Sequence, residues 1–120
     1  MKKIMIVEDS NLMIAVISNF IKKEGMEVEI LTAGNGEEAI QKYNENKPDL
    51  VFMDIKMPGM DGITALGEIR KADPNAKVVM CTSLKEPEQE AKAKELGAVG
   101  YIMKPFSSQD IVNALHSNLG

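Results

Sequence analysis

Four short stretches of this chain carry side chains suited to chemistry: Glu8-Asp9, Asp54, Thr82-Ser83 and Lys104-Pro105. Each follows directly on a run of apolar, β-branched residues. Three carboxylates brought together repel one another, and each raises its neighbours' pKa. A divalent cation removes that conflict. An all-oxygen donor set with neither histidine nor thiolate suits a hard ion such as Mg²⁺, which normally keeps several waters beside one or two carboxylates. A carboxylate held beside such an ion is able to attack a phosphoryl group and form an acyl phosphate. The metal and a nearby lysine would then neutralise charge on the phosphoryl oxygens as they transfer. Taken singly, each residue has an ordinary role. Asp9 or Ser10 would cap a helix. Asp54, with Pro58-Gly59 and Asp61-Gly62 after it, would belong to a turn. Asp61 is assigned to that turn. Lys104 would be a solvated charge and Thr82 a loop residue. The chemistry arises only if the four stretches meet.

Whether they meet depends on the elements that carry them. Five apolar runs recur along the chain: Ile4–Val7, Val28 with Ile30-Leu31, Leu50–Met53, Val78–Cys81, and Val99 with Tyr101–Met103. Such runs, bounded by turn residues, read as buried strands. Their separation matches a βαβ unit, which takes roughly 30 residues. Between them lie stripes at helical spacing. Leu12, Met13, Val16, Ile17, Phe20 and Ile21 form the first, closed by Gly25. Ala39, Ile40 and Tyr43 form the second, and Ile63, Leu66 and Ile69 the third. Ile111, Ala114, Leu115 and Leu119 form the fifth. The fourth, from about Pro87 to Leu96, offers only Ala91, Ala93 and Leu96, with Gly97 just beyond its end, and is expected to be loosely held.

Alternating strands and helices imply a parallel sheet with helices on both faces. Runs one, three and four are continuously apolar, as central strands must be. Run two alternates through Glu27-Val28-Glu29-Ile30, and run five is broken by Gly100, so both suit sheet edges. The expected order is 2-1-3-4-5, the flavodoxin-like arrangement, in which ligands bind beyond the carboxyl ends of the strands. The four reactive stretches all fall on that rim.

Composition bounds the rest. The chain has 120 residues, enough for one core of a single domain. Its net charge is −4, from 18 acidic and 14 basic residues with no basic block, which argues against direct nucleic-acid binding. The longest apolar run, Leu12–Ile17, is too short to span a membrane, and the amino-terminal residues do not form a secretory signal. The single cysteine, Cys81, excludes an internal disulfide and fits a reducing cytoplasm. It is expected to pack as a small hydrophobe, the strand methionines as core filler, with Met57 and Met60 shaping the loop after Asp54. His116 is expected to be exposed.

As a set, Glu8-Asp9, the stretch from Asp54 through Met57-Pro58-Gly59 to Asp61-Gly62, Thr82, Tyr101 and Lys104-Pro105-Phe106 resemble the receiver domain of two-component response regulators, in particular its single-domain chemotaxis type. The resemblance runs in order over the whole chain, residues 1–120. It implies that Asp54 accepts a phosphoryl group from a histidine kinase or phosphotransfer protein. It implies that Asp9 directly, and Glu8 through water, hold Mg²⁺ together with Asp54 and the backbone carbonyl of Lys56. Lys104 would pair with the phosphoryl oxygens, and Thr82 would donate to them and move inward. Tyr101 would turn into the vacated space and reshape the surface of the fourth helix, fifth strand and fifth helix for a downstream protein. The Lys104–Pro105 bond would be cis. The chain would be a cytoplasmic signalling domain, monomeric before phosphorylation, and no enzyme beyond its own phosphorylation and dephosphorylation.

Departures from the commonest pattern are Glu8 in place of aspartate and Ser83 in place of alanine. Lys56 and Leu84, each two residues beyond a site residue, occupy positions where the family tunes phosphoryl lifetime. An apolar Leu84 hindering water and a Lys56 reaching a phosphoryl oxygen lead to the expectation of a long-lived acyl phosphate. Other readings are a phosphorelay intermediate, a receiver excised from a larger regulator, or a receiver that never takes phosphate. An aspartate-nucleophile phosphatase expects a second aspartate where Lys56 stands, and a flavodoxin-like electron carrier a hydroxyl- and glycine-rich loop where Glu8-Asp9 stands.

Overall fold

The computed structural model describes residues 1–83 and 86–119. Strands and helices alternate throughout: β1 (Lys2–Val7), α1 (Asn11–Lys23), β2 (Val28–Ala33), α2 (Gly36–Asn46), β3 (Leu50–Met53), α3 (Gly62–Ala72), β4 (Val78–Thr82), α4 (Pro87–Glu95), β5 (Gly100–Met103) and α5 (Ser108–Leu119). All neighbouring strands are parallel, in the order β2-β1-β3-β4-β5, as the apolar pattern predicts.

Alternation along the strands sorts the core into two layers. Met5, Val7, Val51, Met53, Val78 and Met80 face α2, α3 and α4, where Ala39, Tyr43, Ile63, Leu66 and Ile69 meet them. Ile4, Ile6, Leu50, Phe52, Val79 and Cys81 face α1 and α5 through Ile17, Ile21, Ile111 and Leu115. Phe20 and Phe106 close the second layer edge to face, their ring centroids 6.1 Å apart.

Three details differ from the sequence reading. Leu12 is 75 % exposed and Ala91 is also exposed, so neither belongs to its helix's buried stripe. Gly100 opens β5 rather than interrupting it, and Val99 before it is exposed. Asp61 does more than turn the chain: its carboxylate accepts the Thr64 amide at 2.8 Å and caps α3.

Candidate functional site

Strand register brings the rim residues together. Val7 lies opposite Met53, and the Asp54 amide donates to the Val7 carbonyl at 3.0 Å, so Glu8 and Asp54 leave adjacent strands side by side. Thr82 lies opposite Met103, and the Lys104 amide donates to the Thr82 carbonyl at 2.8 Å, so Lys104 leaves its strand at the same level. Ser10, and not Asp9, caps α1 by accepting the Met13 amide at 3.2 Å. Asp9 is left exposed at the rim, away from any capping duty.

Carboxylate oxygens of Glu8, Asp9 and Asp54 lie within 4.8 Å of one another. Glu8 and Asp54 are buried, while Asp9 faces solvent. The Lys104 ammonium reaches in from the opposite side, 2.7 Å from Glu8 Oε2 and 3.4 Å from Asp54 Oδ2. The other Glu8 oxygen accepts the Ser10 amide at 3.3 Å. Burial pushes the Glu8 carboxyl above its ordinary value; the Lys104 hydrogen bond opposes this, and the nearby Asp54 charge reinforces it. Burial pulls Lys104 the other way from its two carboxylate neighbours. The hydrogen bond to Glu8 and the attraction of Asp54 prevail, and its ammonium is held above the usual lysine range. The donor set is therefore all oxygen, with one anionic group that burial disfavours. A hard divalent cation fits such a set, since it offsets the repulsion that a single ammonium does not fully cancel.

Thr82 is fully buried at the end of β4. Tyr101 lies opposite Met80 in β5, half-buried against the layer that holds α2, α3 and α4. Its hydroxyl is pushed up by burial, then by the charges of Glu90 and Glu86. Ser83 is exposed beside Thr82, and the Lys104–Pro105 peptide is cis. Lys56 is exposed and borders a groove of about 310 Å³ with Ile55, Met57, Asp61, Glu86 and Gln89. Leu84 lies outside the described residues.

Two residues that contact the backbone of Asp54 and of the loop after it carry no chemical signal of their own. Gly62, the first residue of α3, sits so close to the Asp54 carbonyl that a β-carbon there would lie 2.0 Å from its oxygen. Its amide donates to the Ile55 carbonyl at 2.8 Å. A glycine directly after a capping aspartate was the available clue. The second is Glu37, from α2. Its carboxylate accepts the Met60 amide at 3.1 Å across a separation of 23 residues, which no local pattern reveals.

A five-stranded sheet of this order, with an acidic cluster and a lysine at the carboxyl rim, defines a receiver domain. The model of the response regulator receiver domain matches residues 4–116, and the chain belongs to that family. It is similar to the chemotaxis protein CheY of Bacillus subtilis, 41 % identical over 117 residues, covering 98 % of this chain and 97 % of the relative. It is likewise similar to CheY of Thermotoga maritima, 44 % identical over 115 residues, covering 96 % and 95 %. Among solved structures it superposes on the CheX–CheY–BeF₃–Mg²⁺ complex from Borrelia burgdorferi with a TM-score of 0.91 at 32 % identity, covering 99 % of this chain and 90 % of the other. Among the described residues, no helix is long and apolar enough to cross a membrane.

Proposed function

We propose that this chain is a phosphorylation-operated switch in which Asp54 accepts a phosphoryl group from a histidine kinase or phosphotransfer protein. The observation that carries the proposal is the convergence of Glu8, Asp9 and Asp54 within 4.8 Å, faced by the Lys104 ammonium. Asp54 is read as the acceptor because it follows β3, between the strand that ends in the acidic pair and the strand that ends in Lys104, and lies within reach of both the carboxylates and the ammonium. The P–N bond of the donor's phosphohistidine breaks as a P–O bond to an Asp54 oxygen forms, and the imidazole leaves with the bonding pair. Asp9, Asp54 and the Lys56 carbonyl, with Glu8 beside them, would hold Mg²⁺, and the ion would supply positive charge to the phosphoryl oxygens. Lys104 supplies the same from the other side. It exchanges its 2.7 Å contact with Glu8 for the new phosphoryl group.

Thr82 donates to the phosphoryl group, Tyr101 turns inward behind it, and the face of α4, β5 and α5 is remodelled for a downstream protein. Ser83 leaves room for the phosphoryl group, and Lys56 and Leu84 set its lifetime. A chemotaxis output is supported by the CheY relatives, and a CheX-like partner by the structural neighbour. The chain works in the cytoplasm as a monomer until phosphorylated, and it turns over no substrate other than its own phosphoryl group.

The test is intact mass after treatment with a small phosphodonor and Mg²⁺. One base-labile, acid-stable phosphoryl group is expected, absent without the metal and absent in Asp54→Asn. A gain of the same mass in Asp54→Asn would overturn the assignment of the acceptor.

A further inference from the structure

The loop from Ile55 to Asp61 carries the Lys56 carbonyl and must hold its shape if that carbonyl is to face a cation. On its sheet side Ile55 and Met57 are buried. At its far end Asp61 caps α3, and the Gly62 amide ties back to Ile55. Its outer side is covered by the start of α2. Gly36 approaches so closely that a β-carbon there would lie 2.9 Å from the Met60 carbonyl oxygen and 2.9 Å from Met60 Cγ. Both Glu37 carboxylate oxygens lie 3.6 Å from where a β-carbon of Gly59 would sit. One of them accepts the Met60 amide at 3.1 Å. Gly59 has φ of +76°, a backbone conformation that favours glycine. Asn35 fixes the helix start by accepting the Glu38 amide at 2.8 Å, and the Glu38 carboxylate accepts the Gly34 amide at 2.9 Å. The part of α2 that touches the loop is therefore itself well anchored.

We infer that Glu37, seated by Gly36, is a positioning residue for the cation site: it clamps the loop after Asp54 from outside and so orients the Lys56 carbonyl. The inference rests on the reading of the acidic rim as a Mg²⁺ site. Glu37 touches neither the ion nor the phosphoryl group. Its effect passes through the Met60 amide and the three residues Met57, Pro58 and Gly59 that separate it from the Lys56 carbonyl. A charge-assisted hydrogen bond on an exposed surface has a modest net effect, so the expected change is a graded loss of affinity.

The experiment uses the full chain, ¹⁵N-labelled, with Mg²⁺ alone as the probe. Amide exchange at Met60 and Mg²⁺ titration are followed in wild type, Glu37→Ala, Glu37→Gln and Gly36→Ala. In Glu37→Ala the Met60 amide is expected to exchange about tenfold faster and Mg²⁺ to bind about 3- to 10-fold more weakly. Glu37→Gln keeps an acceptor oxygen and is expected to restore most of both. Gly36→Ala, which forces the loop outward, is expected to weaken binding at least as much; should it fail to fold, the Glu37 pair decides alone. Unchanged Met60 exchange in Glu37→Ala, Mg²⁺ affinity within twofold of wild type, or a glutamine variant as defective as alanine would overturn the clamp. If wild type and Asp54→Asn respond identically to Mg²⁺, the reading of the rim itself fails and the clamp falls with it.

Discussion

Helices α3 and α4 pack against the same face of the sheet, yet they are fastened in opposite ways. α3 buries Gly62, Ile63, Ala65, Leu66 and Ile69, is capped by Asp61, and begins against the Asp54 carbonyl. At its other end Asp73 accepts the Tyr43 hydroxyl at 2.8 Å, which ties it to α2. α4 buries Ala93 alone, and its first residue follows Glu86, whose side chain makes no capping bond. Its anchorage is at the carboxyl end, where Leu96 packs inward and the Arg70 guanidinium lies over Gly97 while donating to the Ala76 carbonyl at 3.1 Å. A fully buried Leu or Ile contributes about 1.5–3 kcal/mol, so α3 is held several-fold more tightly than α4. The helix that begins against the Asp54 carbonyl is the firmly seated one. The helix beside Tyr101 is cheap to move at its amino end. In the proposed switch, that inequality would let a displacement at Thr82 pass into the weaker neighbour and leave the stronger one in place.

The largest expected effect tests the inequality directly. Leu66→Ala should cost about 2–5 kcal/mol in urea unfolding, as a fully buried large-to-small change does. Ala91→Ser, on the exposed side of α4, should stay within about 0.5 kcal/mol. Equal losses from the two would break the comparison. Native-state hydrogen exchange should agree, with amides in the first turns of α4 exchanging at least about 100-fold faster than those of α3.

The division between firm and loose elements was already legible in the composition of the stripes. Ile63, Leu66 and Ile69 announce a seated helix, and the stretch from Pro87 to Glu95 has almost nothing to bury. The sheet order was legible for the same reason. The continuously apolar β1, β3 and β4 are central and the glutamate-alternating β2 is an edge, whereas β5 is an edge although its run from Tyr101 to Met103 is unbroken, Gly100 lying at its start. The rim followed from the strand ends, because register fixes what leaves each strand. What the sequence did not disclose is contact between elements distant along the chain. Nothing local couples Glu37 to Met60, Arg70 to Gly97, or Lys104 to Glu8 ahead of Asp54. Leu12 deceived for a different reason: helical spacing marks a face, and only the sheet's extent decides how far along that face burial reaches.

A second contrast lies between the rim and the interior. Three carboxylates against one lysine leave the rim electrostatically uncomfortable without a cation, so Mg²⁺ should stabilise the fold by mass action. At ten times its dissociation constant the gain is about 1.4 kcal/mol, read as an upward shift in thermal midpoint. Asp54→Asn should raise the stability of the metal-free chain and remove most of the response to Mg²⁺. In the interior, by contrast, the Cys81 thiol is pushed up to about 12 by burial, so it should be inert to thiol reagents at pH 8 until the fold opens. Rapid labelling of native protein would show that the layer under α1 and α5 is no firmer than the rim.

The fastening of α3 to α2 has a pH signature. The Tyr43 hydrogen bond, then the Asn75 amide, holds the Asp73 carboxyl below its usual value of 3.8. A carboxyl depressed in the folded state contributes stability above its unfolded pKa and loses it as pH falls through the folded value. The stability gap between wild type and Tyr43→Phe should therefore be fullest near neutrality and narrow once the pH drops below 3.8. A gap independent of pH would assign Tyr43 a packing role only, and α3 would then lose one of its two end fastenings.

The smallest change bears on α4 itself. Glu86 stands at the helix's N-cap in an extended conformation, with φ of −111° and ψ of 110°, and Pro87 follows at the first helical position. The backbone is thus ready for a capping side chain that glutamate does not supply. Glu86→Ser should add one hydrogen bond to the first-turn amides and stabilise the chain by about 0.5–1 kcal/mol. If α4 is loose because its amino end is poorly held, the same substitution should slow amide exchange there and leave α3 untouched. It should also weaken the response of the α4 amides to beryllofluoride, since the resting position has been favoured by that amount. A stabilised α4 that responded as wild type would mean that the sparse packing around Ala93, and not the missing cap, sets how readily this helix yields.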